Sequence, residues 1–166
     1  MASTERLLVA DTGPLLALAR VDGLAWLANG FGQVLVPRVV WKESQHHPSR
    51  EDAKALRKAI KTEAAFSLCA SATHPWLADL PLGAGERAAI SVALRRDAWV
   101  LMDDRAARSI ARNCEVLVIG TLGVLVMAKR HGSLDEVAPI VRKLRGSGYF
   151  LGTALVRETL RICGEL

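Results

Sequence analysis

Short apolar runs that stop at an acid, separated by stretches of helical period, constrain this chain most. Leu7-Leu8-Val9-Ala10 runs into Asp11, and Ala98-Trp99-Val100-Leu101-Met102 runs into Asp103 and Asp104. Strand-like runs alternating with helical patterns point to an α/β fold with a mostly parallel central sheet. In such a sheet the carboxyl ends of the strands face the crevice where ligands bind. Acids delivered there from separate parts of the chain repel one another unless a positive group sits between them. A hard divalent cation, which takes oxygen ligands, answers that need.

The remaining pattern fills in the layout. Gly13-Pro14 opens a helix carrying Leu15, Leu16, Leu18 and Ala19, and a short second helix covers Leu24, Trp26 and Leu27. Val34-Leu35-Val36 reads as a buried strand, followed by a helix from Pro37 to Ser44 and a charged helix from Arg50 to Glu63. Ala65 to Cys69 is a further strand, and Ser71 to Pro81 is a loop. Gly83 to Arg96 is a helix, with Arg87, Ser91 and Arg95 expected on its solvent side. Helices are expected over Ala106 to Arg112 and Thr121 to Arg130, with a strand at Val116 to Ile119. Ser133-Leu134-Asp135-Glu136 reads as a capping box that starts another helix, and Thr153 to Ile162 is the last. With no repeat or long linker, residues 1–166 are expected to form a single domain.

Half of the residues are hydrophobic (51%) and 23% are charged, which excludes a disordered chain. The polar start from Met1 to Arg6 and the absence of any span-length apolar stretch argue against a secretory leader or a membrane protein. Three scattered cysteines, Cys69, Cys114 and Cys163, make no disulfide framework and fit a cytoplasmic location. The net charge of +5 permits a polyanionic partner without establishing one.

Two more acids stand where apolar residues belong. Glu86 lies one turn before Ile90, on the stripe defined by Ala89, Ile90, Ala93 and Leu94. Glu43 continues the face of Val39 and Val40. A carboxylate turned toward a core is costly unless paired, protonated or bound to metal. Each acid also has a plain alternative. Asp11 or Asp104 can cap the following helix, Glu86 can favour the positive end of its own, and Glu43 can pair with a basic neighbour. Taken together, Asp11, Glu43, Glu86, Asp103 and Asp104 are more economically explained as an acidic metal site.

These segments resemble the PIN-domain nucleases, and within them a PIN-like subfamily linked to VapC-type toxins. The resemblance rests on Val9-Ala10-Asp11-Thr12-Gly13-Pro14-Leu15, Val36 to Glu43, Gly85-Glu86-Arg87-Ala88-Ala89-Ile90, Leu101 to Arg108, Ile119 to Leu125 and Gly148-Tyr149-Phe150. It spans essentially the whole chain. It implies a three-layer α/β/α sandwich and Mg²⁺- or Mn²⁺-dependent hydrolysis of RNA, leaving a 5′ phosphate and a 3′ hydroxyl. It further implies the toxin role of a type II toxin–antitoxin system, with a cognate antitoxin and a second copy of the chain as partners. Carried across, Asp11, Glu43 and Glu86 are the first three acids, and Thr12 falls at the family's frequent Ser/Thr position, on the RNA side. The fourth acid falls in Asp103-Asp104. Met102 replaces the Thr of the usual Thr-x-Asp, so either aspartate can be the ligand. The alternative to an enzyme is a catalytically weak PIN-like module that binds RNA or protein.

Other motifs fit less well. Gly83-Ala84-Gly85-Glu86-Arg87-Ala88 matches a dinucleotide fingerprint, but no uninterrupted strand precedes it. Gly13 stands where haloacid dehalogenase-like phosphatases need a second Asp. His46, His47, His74 and His131 lack zinc-ligand spacing. Arg105, Arg108 and Arg112 recur at near-helical spacing beyond Asp104 and are candidates for RNA phosphates. Arg50, Lys54, Arg57, Lys58 and Lys61 read more simply as a solvated face. Trp26, Leu27, Trp41 and the terminal helix could form an exposed apolar surface, but each residue reads more simply as core packing.

Overall fold

The computed structural model describes residues 6–166. The reading of the N-terminus rests mostly on residues 1–5, which lie outside the described residues. Five strands, β1 (Leu7–Ala10), β2 (Gln33–Pro37), β3 (Phe66–Cys69), β4 (Trp99–Leu101) and β5 (Val118–Ile119), form one sheet in the order β3-β2-β1-β4-β5. Every pairing is parallel. The chain steps outward from β1 through β2 to β3, then returns to place β4 on the other side of β1. The strand order therefore reverses between β1 and β4, which is where open α/β sheets bind ligands.

The period of two along each strand divides the core. Leu8, Ala10, Val34, Val36 and Leu101 face one layer, with α1 (Thr12–Arg20), α2 (Leu24–Phe31), α4 (Glu51–Thr62), α7 (Thr121–Arg130), α8 (Val137–Gly146) and α9 (Thr153–Ile162). Val9, Leu35, Val100 and Met102 face the other, with α5 (Ala84–Arg96) and α6 (Arg105–Asn113). The helix α3 (Arg38–Ser44) directs Val40 into the first layer. This is the expected α/β/α arrangement. Each fully buried Leu or Val contributes about 1.5–3 kcal/mol, so strands such as Leu8-Val9-Ala10, wholly enclosed, are well pinned. Among the described residues, no helix is long and apolar enough to cross a membrane.

Two expectations need correction. The face of α5 bearing Arg87 and Ser91 is not solvated, because the segment before α5 folds over it. Arg87 donates to the carbonyls of Leu77, Leu80 and Leu82 at 3.0 Å each, and the Ser91 hydroxyl accepts from the His74 amide at 2.8 Å. A single 3-10 turn at Pro75–Leu77 drives Leu77 into the core. Leu27 is fully buried, and Trp26 and Trp41 pack on the core. The terminal helix does expose apolar side chains, Leu155 and Ile162, and Trp76, Leu117, Phe150 and Leu166 are exposed as well.

The second correction concerns α8, which begins at Val137 without using the 133–136 capping box. Its open N–H groups are met from the end of the chain. The Glu165 carboxylate accepts from the Val137 amide at 2.8 Å and the Ala138 amide at 2.7 Å, and pairs with Lys129 at 2.6 Å. The backbone needs an acceptor there, and a distant acid in a favourable dipole supplies it. Glu165→Ala is expected to cost about 1–2 kcal/mol, as loss of a cap does, read as a lower midpoint in urea unfolding. An unchanged midpoint would show that water caps α8 equally well.

Candidate functional site

Asp11 follows β1 directly, and its amide continues the ladder by donating to the Leu101 carbonyl at 3.0 Å. It occupies the N-cap position of α1, yet its carboxylate accepts no capping hydrogen bond from that helix. The side chain is buried at 8% exposure. Burial pushes its pKa up to about 7, the Thr12 amide offsets part of the rise, and the negative charges of Glu86, Glu43 and Asp103 add to it. Among the described residues, no Lys or Arg forms an ion pair with any of these four acids.

Glu43 reaches the crevice from the last turn of α3. It accepts from the Thr12 hydroxyl at 2.5 Å and the Gly85 amide at 3.1 Å, so α1, α3 and α5 meet on it. Gly85 makes this possible. A Cβ there would lie 2.5 Å from Glu43 Oε2 and 3.1 Å from Asp11 Oδ1. Both carboxylates thus crowd one point at the start of α5. Glu86, half-buried in the first turn of α5, bends back to accept from the Gly83 amide at 2.8 Å.

The adjacent aspartates diverge. Asp104 is exposed and caps α6, accepting from the Ala107 amide at 2.8 Å. Asp103 turns inward. Its Oδ1 accepts from the Thr121 amide at 2.8 Å, and its Oδ2 accepts from the Thr121 hydroxyl and the Tyr149 hydroxyl at 2.5 Å each. A Cβ on Gly120 would meet both Asp103 Oδ1 and the Arg108 guanidinium. Arg108, half-buried, donates to the Met102 carbonyl at 3.0 Å. Burial and Arg112 lower its pKa, while Asp103 supports its charge. Arg105 and Arg112 are exposed on α6.

The structure thus brings together Asp11, Glu43, Glu86 and Asp103 and sets Asp104 apart on its own helix. Thr121, Tyr149, Gly85 and Gly120 complete the surroundings. None of these four stood out as a site residue in the sequence. Only Tyr149, the single tyrosine, carried a compositional signal. Among the described residues, no three His, Cys, Asp or Glu side chains stand close enough to chelate one ion as placed. The donor set nevertheless suits a hard divalent cation. It is all carboxylate, and its most buried member has no cationic partner among the described residues.

An all-parallel α/β sheet with carboxylates at its switch point defines a class of acidic-site α/β domains. A family model for the PIN domain matches residues 7–165, and the chain belongs to that family. PIN domains are typically nucleases, generally bind RNA and usually use divalent metal ions. Among solved structures, the chain is similar to a PilT N-terminus domain protein from the hyperthermophilic archaeon Sulfolobus solfataricus. The identity is 15%, with 79% of this chain and 96% of that chain covered and a TM-score of 0.55, which speaks to the fold alone. No curated protein matches.

Proposed function

We propose that this chain is a metal-dependent endoribonuclease that hydrolyses RNA phosphodiester bonds. One observation carries the reading: Asp11 is buried at the switch point with three further acids around it and, among the described residues, no cation paired to it. Asp11, Glu43, Glu86 and Asp103 would hold Mg²⁺ or Mn²⁺. Bound there, the ion supplies Lewis acidity that offsets charge growing on the phosphodiester and makes water a better nucleophile at neutral pH. Asp103 is taken as the ligand at this strand end because it faces the other acids, whereas Asp104, the alternative, accepts from the Ala107 amide as the cap of α6. Thr12 commits its hydroxyl proton to Glu43 and orients that carboxylate, leaving its oxygen lone pairs for a ribose hydroxyl.

Arg105 and Arg108 would hold the RNA backbone beside the acids. Arg105 is exposed and has no side-chain partner among the described residues, and Arg108 keeps donors beyond the one bound to Met102. On the basic face of α4, by contrast, Arg57 is occupied by Gln45 and the Pro48 carbonyl, and Arg50 faces Asp52 at 3.6 Å. That supports a structural role there. Arg105→Ala is expected to weaken RNA binding across sequences and reduce the salt slope by about 1. A slope equal to wild type would place the RNA elsewhere.

The same reading makes the chain the toxin component of a type II toxin–antitoxin pair, acting in the cytoplasm as a homodimer. Phe150, Leu155, Ile162 and Leu166 offer exposed apolar side chains of the kind partners cover. The test is cleavage of RNA with Mn²⁺ or Mg²⁺, against EDTA and Asp11→Asn controls. Cleavage lost in both controls is expected, and cleavage that survives both would overturn the reading. Growth arrest on induction of wild type but not of Asp11→Asn is the result expected of a toxin.

One observation favours a second reading. Glu43, Glu86 and Asp103 each already accept hydrogen bonds from the protein, and among the described residues no three acids stand close enough to chelate one ion as placed. A catalytically weak module that binds RNA or a protein partner fits that geometry. It would show salt-dependent RNA binding or a stable partner complex without metal-dependent turnover.

A further inference from the structure

Asp103 is gripped from two sides. Thr121, the first residue of α7, supplies an amide and a hydroxyl, and Tyr149 supplies a third donor from 46 residues away. The backbone turns at Gly148, where φ is +84°, sending Tyr149 inward and leaving Phe150 88% exposed. The Tyr149 ring packs against the core, so its body has an apolar reason to be there. Its hydroxyl does not, because Asp103 is its hydrogen-bond partner. The phenol oxygen also lies 3.6 Å from where a Cβ on Gly13 would sit. It therefore bridges the crevice from the end of β4 to the first turn of α1, two residues beyond Asp11.

Lone pairs show what this does. Both hydroxyls lie on Oδ2, whereas Oδ1 accepts only the Thr121 amide, so Oδ1 keeps the more open lone pair. Carboxylates that ligate metals are themselves hydrogen-bonded, and those partners tune affinity. Resting on the nuclease reading, we propose that Tyr149 is a positioning residue for a divalent cation. With Thr121 it occupies Oδ2 and leaves Oδ1 of Asp103 as the donor. Phenylalanine would keep the packing and lose only the O–H.

The test is calorimetric binding of Mn²⁺ without RNA to wild type and Tyr149→Phe, beside cleavage kinetics. Tyr149→Phe is expected to bind Mn²⁺ about 10- to 100-fold more weakly, with lower kcat and an unchanged KM for RNA. Equal or tighter Mn²⁺ binding overturns the proposal, and so does a variant that only melts lower. A KM effect alone would make Tyr149 an RNA contact and also overturn it. Wild type that neither binds Mn²⁺ nor cleaves RNA overturns the nuclease reading and this proposal with it. Normal wild-type behaviour with an unaffected variant overturns the proposal alone. Should Tyr149→Phe fold poorly, ¹³C-labelled tyrosine gives a single ring-carbon resonance in the chain. That resonance is expected to move in Asp103→Asn and on addition of Mg²⁺, and immobility in both cases overturns the proposal.

Discussion

Asp11→Asn is expected to melt higher than wild type at about pH 8 in EDTA and to have no metal-dependent ribonuclease activity. The folded state holds the Asp11 carboxyl at about 7, against an ordinary value of 3.8. An acid whose folded pKa is raised binds its proton more tightly in the native state than in the unfolded chain. Wild-type stability therefore falls as pH rises from about 3.8 to about 7 and is flat above. The full cost is about 4 kcal/mol at most, with burial its main source and the neighbouring acids adding to it. Asparagine carries no charge to bury, so the variant loses this slope. The order reverses in excess Mn²⁺, because a ligand that binds only the native wild type stabilises it. Thermal melts from about pH 4 to 8 check the claim. A variant less stable than wild type at the upper end, or sharing its slope, would show that Asp11 is not the strained member of the cluster.

Gly85→Ala is the second large effect. Alanine is the better helix former by about 1 kcal/mol, so propensity favours the variant. Its Cβ, however, would stand 2.5 Å from Glu43 Oε2. The Glu43 side chain is flexible and can swing away, so the fold should survive with a net stability change within about 1 kcal/mol. In swinging away Glu43 gives up the Thr12 hydroxyl and the Gly85 amide, and its place beside Asp11. Mn²⁺ affinity is expected to fall by about 10- to 100-fold. Calorimetry with a parallel denaturant melt separates the two effects. Unchanged affinity in a stably folded variant would mean that Glu43 contributes nothing to ion binding.

The layout of strands and helices is legible because local pattern and tertiary role agree over most of the chain. Leu7 to Ala10, with no polar residue, can only be enclosed on both faces, and Gly13-Pro14 marks the helix that follows. Glu43 and Glu86 stand out because they interrupt apolar stripes. What stays hidden depends on residues far apart in sequence. Nothing in Ser133 to Glu136 reveals that Glu165 will cap α8 in their place. Arg87 and Ser91 look solvated until the preceding loop closes over them. Asp103 and Asp104 are chemically identical neighbours, and only the arrival of Thr121 and Tyr149 turns one inward while the other caps α6.

The central claim is that the switch-point acids hold a divalent cation through Asp11. Calorimetric titration of wild type and Asp11→Asn with Mn²⁺ at about pH 6 and about pH 8 tests it most directly, since binding must displace the Asp11 proton. The account predicts one binding process in wild type that tightens as pH rises, with proton release at the lower pH, and none in Asp11→Asn. Absence of binding by wild type, or equal binding by the variant, would contradict it.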